Sequence, residues 1–310
     1  MELRPLGRSG LQVTPVALGC WPISGMTSLD VNDADSLATI RAARERGINF
    51  FDTAYCYGAK GESERLLARA LGGERDQVVL ATKGGLHWDE QGTRITDGSP
   101  DRLRQQCEES LRRLQFDHLD LLYLHMPDPQ VPIEDSAGAL RELLEAGKTR
   151  AVGASNVSLE QLRAFHAVCP VSAVQLPYNL LQREIEADIV PWCVEHEVAI
   201  VPYWPLLKGL LAGKLSRDHH FPQADGRHKY ADFQGERYQR NLEYVDHLRS
   251  IAAECGRSVA QLAVHWTITQ PGITSALCGA KRPQQIEETA GAVGWELTRD
   301  QRARTQTQLA

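Results

Sequence analysis

The chain has 310 residues, with 34 Lys and Arg against 40 Asp and Glu, a formal net charge of −6. A hydrophobic share of 42% and a charged share of 24% suit a globular protein with a large core and exclude a disordered or low-complexity chain. The mild acidity argues against nucleic acid or an anionic membrane as the main partner, since both ask for a basic face, while leaving room for one basic pocket around a single anionic ligand.

The first predicted element is a hairpin, with Leu3-Arg4-Pro5 and Val13-Thr14 flanking Gly7-Arg8-Ser9-Gly10. Short apolar runs with polar ends follow at residues 16–18, 48–51, 78–81, 119–124, 151–153, 173–176, 198–202 and 275–277. Such runs suit strands buried on both faces. Helical periodicity fills the gaps. Residues 33–46 follow the first run and 62–71 the second. A third helix opens at Ser99-Pro100, an N-cap followed by proline, and aligns Leu103, Cys107, Leu111 and Leu114 on one face. The fourth carries Ile133, Ala137, Leu140 and Leu144 and stops at Gly147. Ser158 and Gln161 form a capping box for the fifth. Residues 186–196 make the sixth, 236–263 one or two more, and 283–293 the last before a C-terminal, turn-rich helix.

Eight strands alternating with about eight helices predict α/β class and a closed (β/α)8 TIM barrel in one domain, residues 1–310, with the hairpin as an N-terminal plug and extra C-terminal helices. There is no GxGxxG after the first strand and no GxxxxGK[ST], the usual marks of open nucleotide-binding sheets. Residues 207–235 form the longest irregular stretch and carry His219, His220, Phe221, Tyr230 and Phe233, either as a lid or as loosely ordered chain. Seven cysteines include no CxxC pair and read as small core residues of a reducing cytosol. No charge-free apolar run reaches the ~18 residues of a membrane span, and the start lacks a signal-peptide core, so the expected location is the cytoplasm.

Barrels of this kind do their chemistry at the C-terminal ends of the strands. The residues closing the apolar runs are Asp52, Lys83, His125, Ser155-Asn156, Gln175, Tyr203 and Gly279. Taken singly, Asp52 could cap a turn, Lys83 could be solvated and His125 could be packed in the core. Together they would desolvate a carboxylate, an ammonium and an imidazole in one mouth. Tyr57 stands five residues beyond Asp52. A free phenol titrates near about 10, and a neighbouring Lys83 ammonium is expected to lower that value. Asp52 would hold Lys83, and His125 could donate a hydrogen bond to a developing oxyanion. The set describes a general acid aimed at a carbonyl oxygen.

Asp52-Thr53-Ala54-Tyr55-Cys56-Tyr57-Gly58, preceded by Gly47-Ile48-Asn49-Phe50-Phe51, resembles the signature of the aldo-keto reductases. Thr82-Lys83 matches the lysine of that family's third strand, and Leu124-His125 with Pro127-Asp128 the histidine of its fourth. The resemblance runs from Leu6-Gly7-Arg8-Ser9-Gly10 to Gln285-Ile286-Glu287-Glu288. It implies NADP(H) lying across the mouth, with Tyr57 as acid/base and Asp52, Lys83 and His125 completing a tetrad. By the same resemblance Ser155, Asn156 and Gln175 would hold the nicotinamide carboxamide, and Tyr203 would stack on the ring. The loop containing Pro205, Leu206, Gly209, Leu211, Gly213 and Lys214 would cover the pyrophosphate through backbone N–H groups. Gly279, Lys281 and Arg282 look like the adenosine 2′-phosphate site, where a helix start and two cations favour an anion independently of the family. Gln285 and Glu288 would approach the adenine and ribose, and Trp21, Tyr55, Trp88 and Trp204 would line the cofactor or substrate pocket.

Two departures stand out: Trp204 where many relatives carry Ser, and Thr289 where many carry Asn. Gly153-Ala154-Ser155-Asn156-Val157 approaches a serine-hydrolase elbow but ends in Val, and His219-His220 lack the spacing of a metal motif, so no metal is expected. The expected activity is NADPH-dependent reduction of a small carbonyl compound. Its rivals are an NAD(P)-dependent sugar or polyol dehydrogenase and a cofactor-binding, redox-sensing regulatory subunit.

Overall fold

A computed structural model describes residues 1–26 and 30–307. In chain order the strands are β1 (Arg4–Pro5), β2 (Gln12–Val13), β3 (Val16–Gly19), β4 (Phe50–Asp52), β5 (Val79–Gly84), β6 (Leu86–Trp88), β7 (Arg94–Thr96), β8 (Leu121–Leu124), β9 (Val152–Ser155), β10 (Ala173–Gln175), β11 (Ala199–Ile200) and β12 (Ala276–Gly279). The helices are α1 (Asp33–Glu45), α2 (Glu62–Leu71), α3 (Pro100–Leu114), α4 (Ile133–Glu145), α5 (Leu159–Val168), α6 (Ile189–Glu195), α7 (Gly235–Glu254), α8 (Val259–Ile268), α9 (Pro283–Ala290) and α10 (Arg299–Gln306).

Eight of these strands form one parallel sheet in the order β11-β10-β9-β8-β5-β4-β3-β12. Parallel bridges Ile200–Ile273 and Tyr203–Leu277 join its two ends, with Leu277 N–H donating to the Pro202 carbonyl at 2.9 Å, so the sheet closes into a (β/α)8 barrel. All eight strands fall on the predicted apolar runs. The plug is also as expected: β1 and β2 pair antiparallel, and the Arg4 guanidinium donates to the carbonyls of Ile268, Ile273 and Thr274. A Cβ on Gly7 would come 2.2 Å from the Ser172 carbonyl oxygen, so only glycine lets the hairpin press this closely on the barrel floor.

Helix boundaries follow local chemistry. Capping boxes start α5 (Ser158, Gln161), α8 (Ser258, Gln261) and α10 (Thr298, Gln301). The sixth helix starts at Ile189, where the Asp188 side chain caps it, and a 3-10 turn at Glu184–Glu186 replaces its expected first turn. The 236–263 stretch splits into α7 and α8 because Gly256 adopts φ 62°. The hairpin β6–β7, rising from the loop after β5, was not anticipated. Residues 207–235 contain 3-10 turns at Leu207–Ala212, Gly226–Lys229 and Ala231–Phe233, and Phe221 packs edge-on against Phe233 at 5.5 Å.

Two apolar layers share the sheet. The larger lies between strands and helices; the smaller fills the barrel interior with Leu6, Leu11 and Val13 of the plug beneath Phe50, Val79, Leu121 and their neighbours. Because strand side chains alternate between faces, each interior row climbs in steps of two from this apolar floor to the mouth. Thus Val79 and Ala81 lead to Lys83, Leu121 and Tyr123 to His125, Ala173 to Gln175, and Phe50 to Asp52.

Candidate active site

The tops of these rows meet. Asp52 and Lys83 are each 1% exposed, and Lys83 Nζ lies 2.5 Å from Asp52 Oδ1. The same ammonium donates to the Thr53 carbonyl at 2.8 Å and lies 3.4 Å from the Tyr57 hydroxyl. Gln175 Nε2 donates to the other Asp52 oxygen at 2.8 Å. The His125 ring stands edge-on to Tyr57 at 5.9 Å, and the Trp21 ring edge-on to Tyr57 at 4.9 Å on another side.

The electrostatics correct one expectation. Loss of solvent around the hydroxyl, and then the Asp52 carboxylate, push the Tyr57 phenol well above its ordinary value, so Lys83 does not make it acidic. The reason is geometric: the ammonium is closer to Asp52 than to the phenol, and the pair nearly neutralises itself. Burial likewise pushes the Asp52 carboxyl up, against the pull of Lys83 and Gln175. Desolvation and the Lys83 charge hold His125 well below the usual imidazole range, so its ring is neutral near pH 7.

Ser155 ends β9 and Asn156 follows it at φ 58°. Asn156 Nδ2 donates to the His125 carbonyl at 2.9 Å and to Ser155 Oγ at 3.0 Å, while its Oδ1 accepts from the Tyr203 hydroxyl at 2.8 Å. The Asn156 backbone N–H donates to the Gln175 carbonyl at 3.1 Å, so Ser155, Asn156, Gln175 and Tyr203 stand together beside the tetrad. Burial pushes the Tyr203 phenol up to about 12.

In the next loop Leu211 is fully buried, and the N–H groups of Gly209 and Leu211 both donate to the Leu206 carbonyl. Those two amides are spent inside the turn that begins after Pro205. Lys208 takes φ 53° and lays its ammonium 3.6 Å from the Trp204 ring centre and 4.2 Å from that of Tyr230; burial lowers its pKa to about 8. Gly213 and Lys214 border a cavity of about 300 Å³ with Arg257, Ser258 and Glu288, and Lys214 pairs with Glu288 at 2.6 Å across it. Gly279 ends β12, and Gln285 Oε1 accepts from the N–H groups of Lys281 and Arg282 at the start of α9. Thr289 is buried and bonds back to the Gln285 carbonyl of its own helix.

Tyr55 departs from the expected substrate pocket. Its hydroxyl donates to Glu109 at 2.6 Å and the Arg113 guanidinium stacks 4.1 Å from its ring, both on α3. The turn through Cys56 breaks the alternation of the preceding strand, so Tyr55 and Tyr57 face different ways, and α3 offers Tyr55 a hydrogen-bond partner and a cation. Trp88 stays near the tetrad, its Nε1 donating to the Cys56 carbonyl at 2.7 Å.

Sequence reasoning missed the support behind this loop. Arg113 donates to the Tyr55 carbonyl at 3.0 Å and to the fully buried Glu64 at 3.1 Å, whose second oxygen accepts from Thr82, next to Lys83. A charged residue, Glu64, inside the apolar face of α2 was the available signal. Tyr123, interior on β8, was missed too; a Cβ at Gly153 would come 2.4 Å from its ring, so glycine makes room for it. Among the described residues no cluster of three or more His, Cys, Asp or Glu could hold a metal ion.

A sequence model of the Aldo/keto reductase family matches residues 15–308. The chain is 39% identical over 300 residues to the aldo-keto reductase YhdN of Bacillus subtilis (strain 168), covering 96% of this chain and 90% of that protein. Among solved structures it is similar to the glycerol dehydrogenase AKR11B4 of Gluconobacter oxydans, at 38% identity and a TM-score of 0.90, covering 98% of this chain and 93% of that one. The holo form of aldo-keto reductase AKR11C1 from Bacillus halodurans gives a TM-score of 0.82 at 27% identity, covering 99% and 95%.

Proposed function

The chain belongs to the aldo/keto reductase family, and on that footing we propose that it is an NADPH-dependent reductase of aldehydes and ketones with Tyr57 as general acid. The observation that carries this reading is the buried Asp52–Lys83 pair beside the Tyr57 hydroxyl at the top of the barrel.

The residues present fit a nicotinamide nucleotide. A hydroxyl, two amide side chains and a phenol standing together suit an amide-bearing aromatic ring, and the exposed Arg282 at the start of α9 suits a phosphate. Ser155, Asn156 and Gln175 would hold the carboxamide and Tyr203 the ring face. Gly279, Lys281, Arg282, Gln285 and Glu288 would take the adenosine end, with residues 205–214 over the middle. The bound cofactor supplies the hydride.

The protein's own part is the proton. Tyr57 keeps its proton at neutral pH and donates it to the carbonyl oxygen as negative charge develops there. Lys83 lies where it stabilises the phenolate left behind, Asp52 fixes Lys83, and neutral His125 donates a hydrogen bond to the same oxygen. Trp21, edge-on to Tyr57, and Trp88, which packs with Tyr57 on the cluster of Ala54, Cys56 and Leu86, would keep water from the transfer.

A second reading has one observation in its favour: a 38% identical solved relative is named a glycerol dehydrogenase, so oxidation of a polyol by the same residues is the alternative direction. A redox-sensing subunit has no comparable support, since all four residues of the tetrad are present. We further propose a single catalytic domain, residues 1–310, working in the cytoplasm, where seven free thiols would persist. No helix among the described residues is long and apolar enough to cross a membrane.

The test is NADPH oxidation across aldehydes, ketoses, pyridoxal and quinones, with Tyr57→Phe as control. The variant should lose roughly 10²–10⁴ in turnover while still binding cofactor, the usual scale for a lost general acid. Near-normal turnover would remove Tyr57 from the mechanism.

A further inference from the structure

A neutral imidazole carries one N–H, on either of two nitrogens, and only one choice lets His125 donate from Nε2. The partner of its other nitrogen is Cys56, whose Sγ lies 3.7 Å from Nδ1. Burial pushes this thiol up to about 12, so it keeps its hydrogen. An imidazole nitrogen is a far better acceptor than a thiol sulfur, and the contact is therefore S–H donating to Nδ1.

Both partners are held. The Cys56 carbonyl accepts from Trp88 Nε1, the backbone N–H of His125 donates to the Gly84 carbonyl at 2.8 Å, and the His125 carbonyl accepts from Asn156 Nδ2. Around the sulfur stand Ala54 and Leu86, with Tyr57, Trp88 and Met126 packed on them. In such an apolar setting a weak donor is not outcompeted by water.

We infer that Cys56 is a positioning residue: its thiol, donating to Nδ1, holds His125 as the tautomer with its hydrogen on Nε2, the form able to donate to a substrate oxygen. The inference rests on the proposed role of His125 as that donor, yet the tautomer itself is readable in the resting protein.

The experiment is long-range proton–nitrogen NMR of the histidine side chains, with the His125 signals assigned by their loss in His125→Asn. Cys56→Val keeps the bulk without the donor, and Cys56→Ser restores one; thermal melts check that both are folded. The native ring should show hydrogen on Nε2, Cys56→Ser should retain it, and Cys56→Val should mix the two tautomers. Turnover in Cys56→Val should fall about three- to tenfold, part of the roughly 10²–10³ that losing a whole oxyanion donor costs, with KM for NADPH unchanged. A native ring protonated on Nδ1, or a Cys56→Val ring that keeps one Nε2–H tautomer, would overturn the inference. Such a result is distinct from a failure of the carbonyl-reductase reading, which shows in turnover alone.

Discussion

On the proposed mechanism, changing pH should separate the two directions of the reaction, because they would ask for opposite protonation states of the Tyr57 phenol. Burial and the Asp52 carboxylate raise the Tyr57 pKa well above its ordinary value, so the neutral form predominates across the working range. Reduction uses that neutral form. Oxidation needs the phenolate to take the alcohol proton, and below the pKa the phenolate fraction grows about tenfold per pH unit. His125 adds no step in this range, since its ring is already neutral. Expressed as kcat/KM in both directions on one carbonyl–alcohol pair at constant ionic strength, reduction should stay flat between about pH 7 and about pH 9. Oxidation should climb by up to roughly a hundredfold over the same interval. A reduction limb that falls with a midpoint near about pH 8 would mean that Lys83 does acidify the phenol, and would refute the balance of charges described above.

The remaining predictions concern binding and stability. Arg282→Ala should weaken NADPH by about 10–100-fold, the equivalent of losing a charge-assisted hydrogen bond of about 1.5–3 kcal/mol, and leave NADH nearly unchanged. Titration calorimetry with both cofactors checks this, and equal losses would remove Arg282 from the 2′-phosphate site. Glu64→Gln strands Arg113 beneath the tyrosine-bearing loop and should cost roughly 3 kcal/mol, the lower end for breaking a buried pair because Arg113 keeps Glu109 at 3.6 Å. Chemical denaturation measures it; an unchanged midpoint would make the pair incidental.

The barrel was legible because strands buried on both faces leave short apolar runs, and the site because interior rows of period two end on polar residues at one level. Asp52, Lys83, His125 and Gln175 could be picked out on that ground alone. The β6–β7 hairpin escaped because Leu86-His87-Trp88 and Arg94-Ile95-Thr96 are too short for any periodicity; the turn from Asp89 to Gly92 was the usable clue. Glu64 and Arg113 are 49 positions apart, and no local pattern pairs them. Tyr55 lies two residues from Tyr57 yet serves α3, because a turn does not preserve the alternation of a strand.

The phenol's pKa is hidden from the sequence for a different reason. Sequence places an ammonium near Tyr57, but its effect depends on what else the ammonium touches and on how far water is excluded. Lys83 Nζ lies 2.5 Å from a carboxylate and 3.4 Å from the hydroxyl, so the phenol faces a nearly neutral pair in a desolvated site. On the proposed mechanism this would not impair reduction, because an alkoxide forming on the substrate is a much stronger base than a phenolate, and transfer from even a weakly acidic phenol runs downhill. It would tax oxidation, where the phenol must first surrender its proton. On the proposed mechanism, the burial that keeps Asp52 and Lys83 locked together would thus leave the reductive rate constant level through neutral pH and make the oxidative one rise as alkaline conditions populate the phenolate.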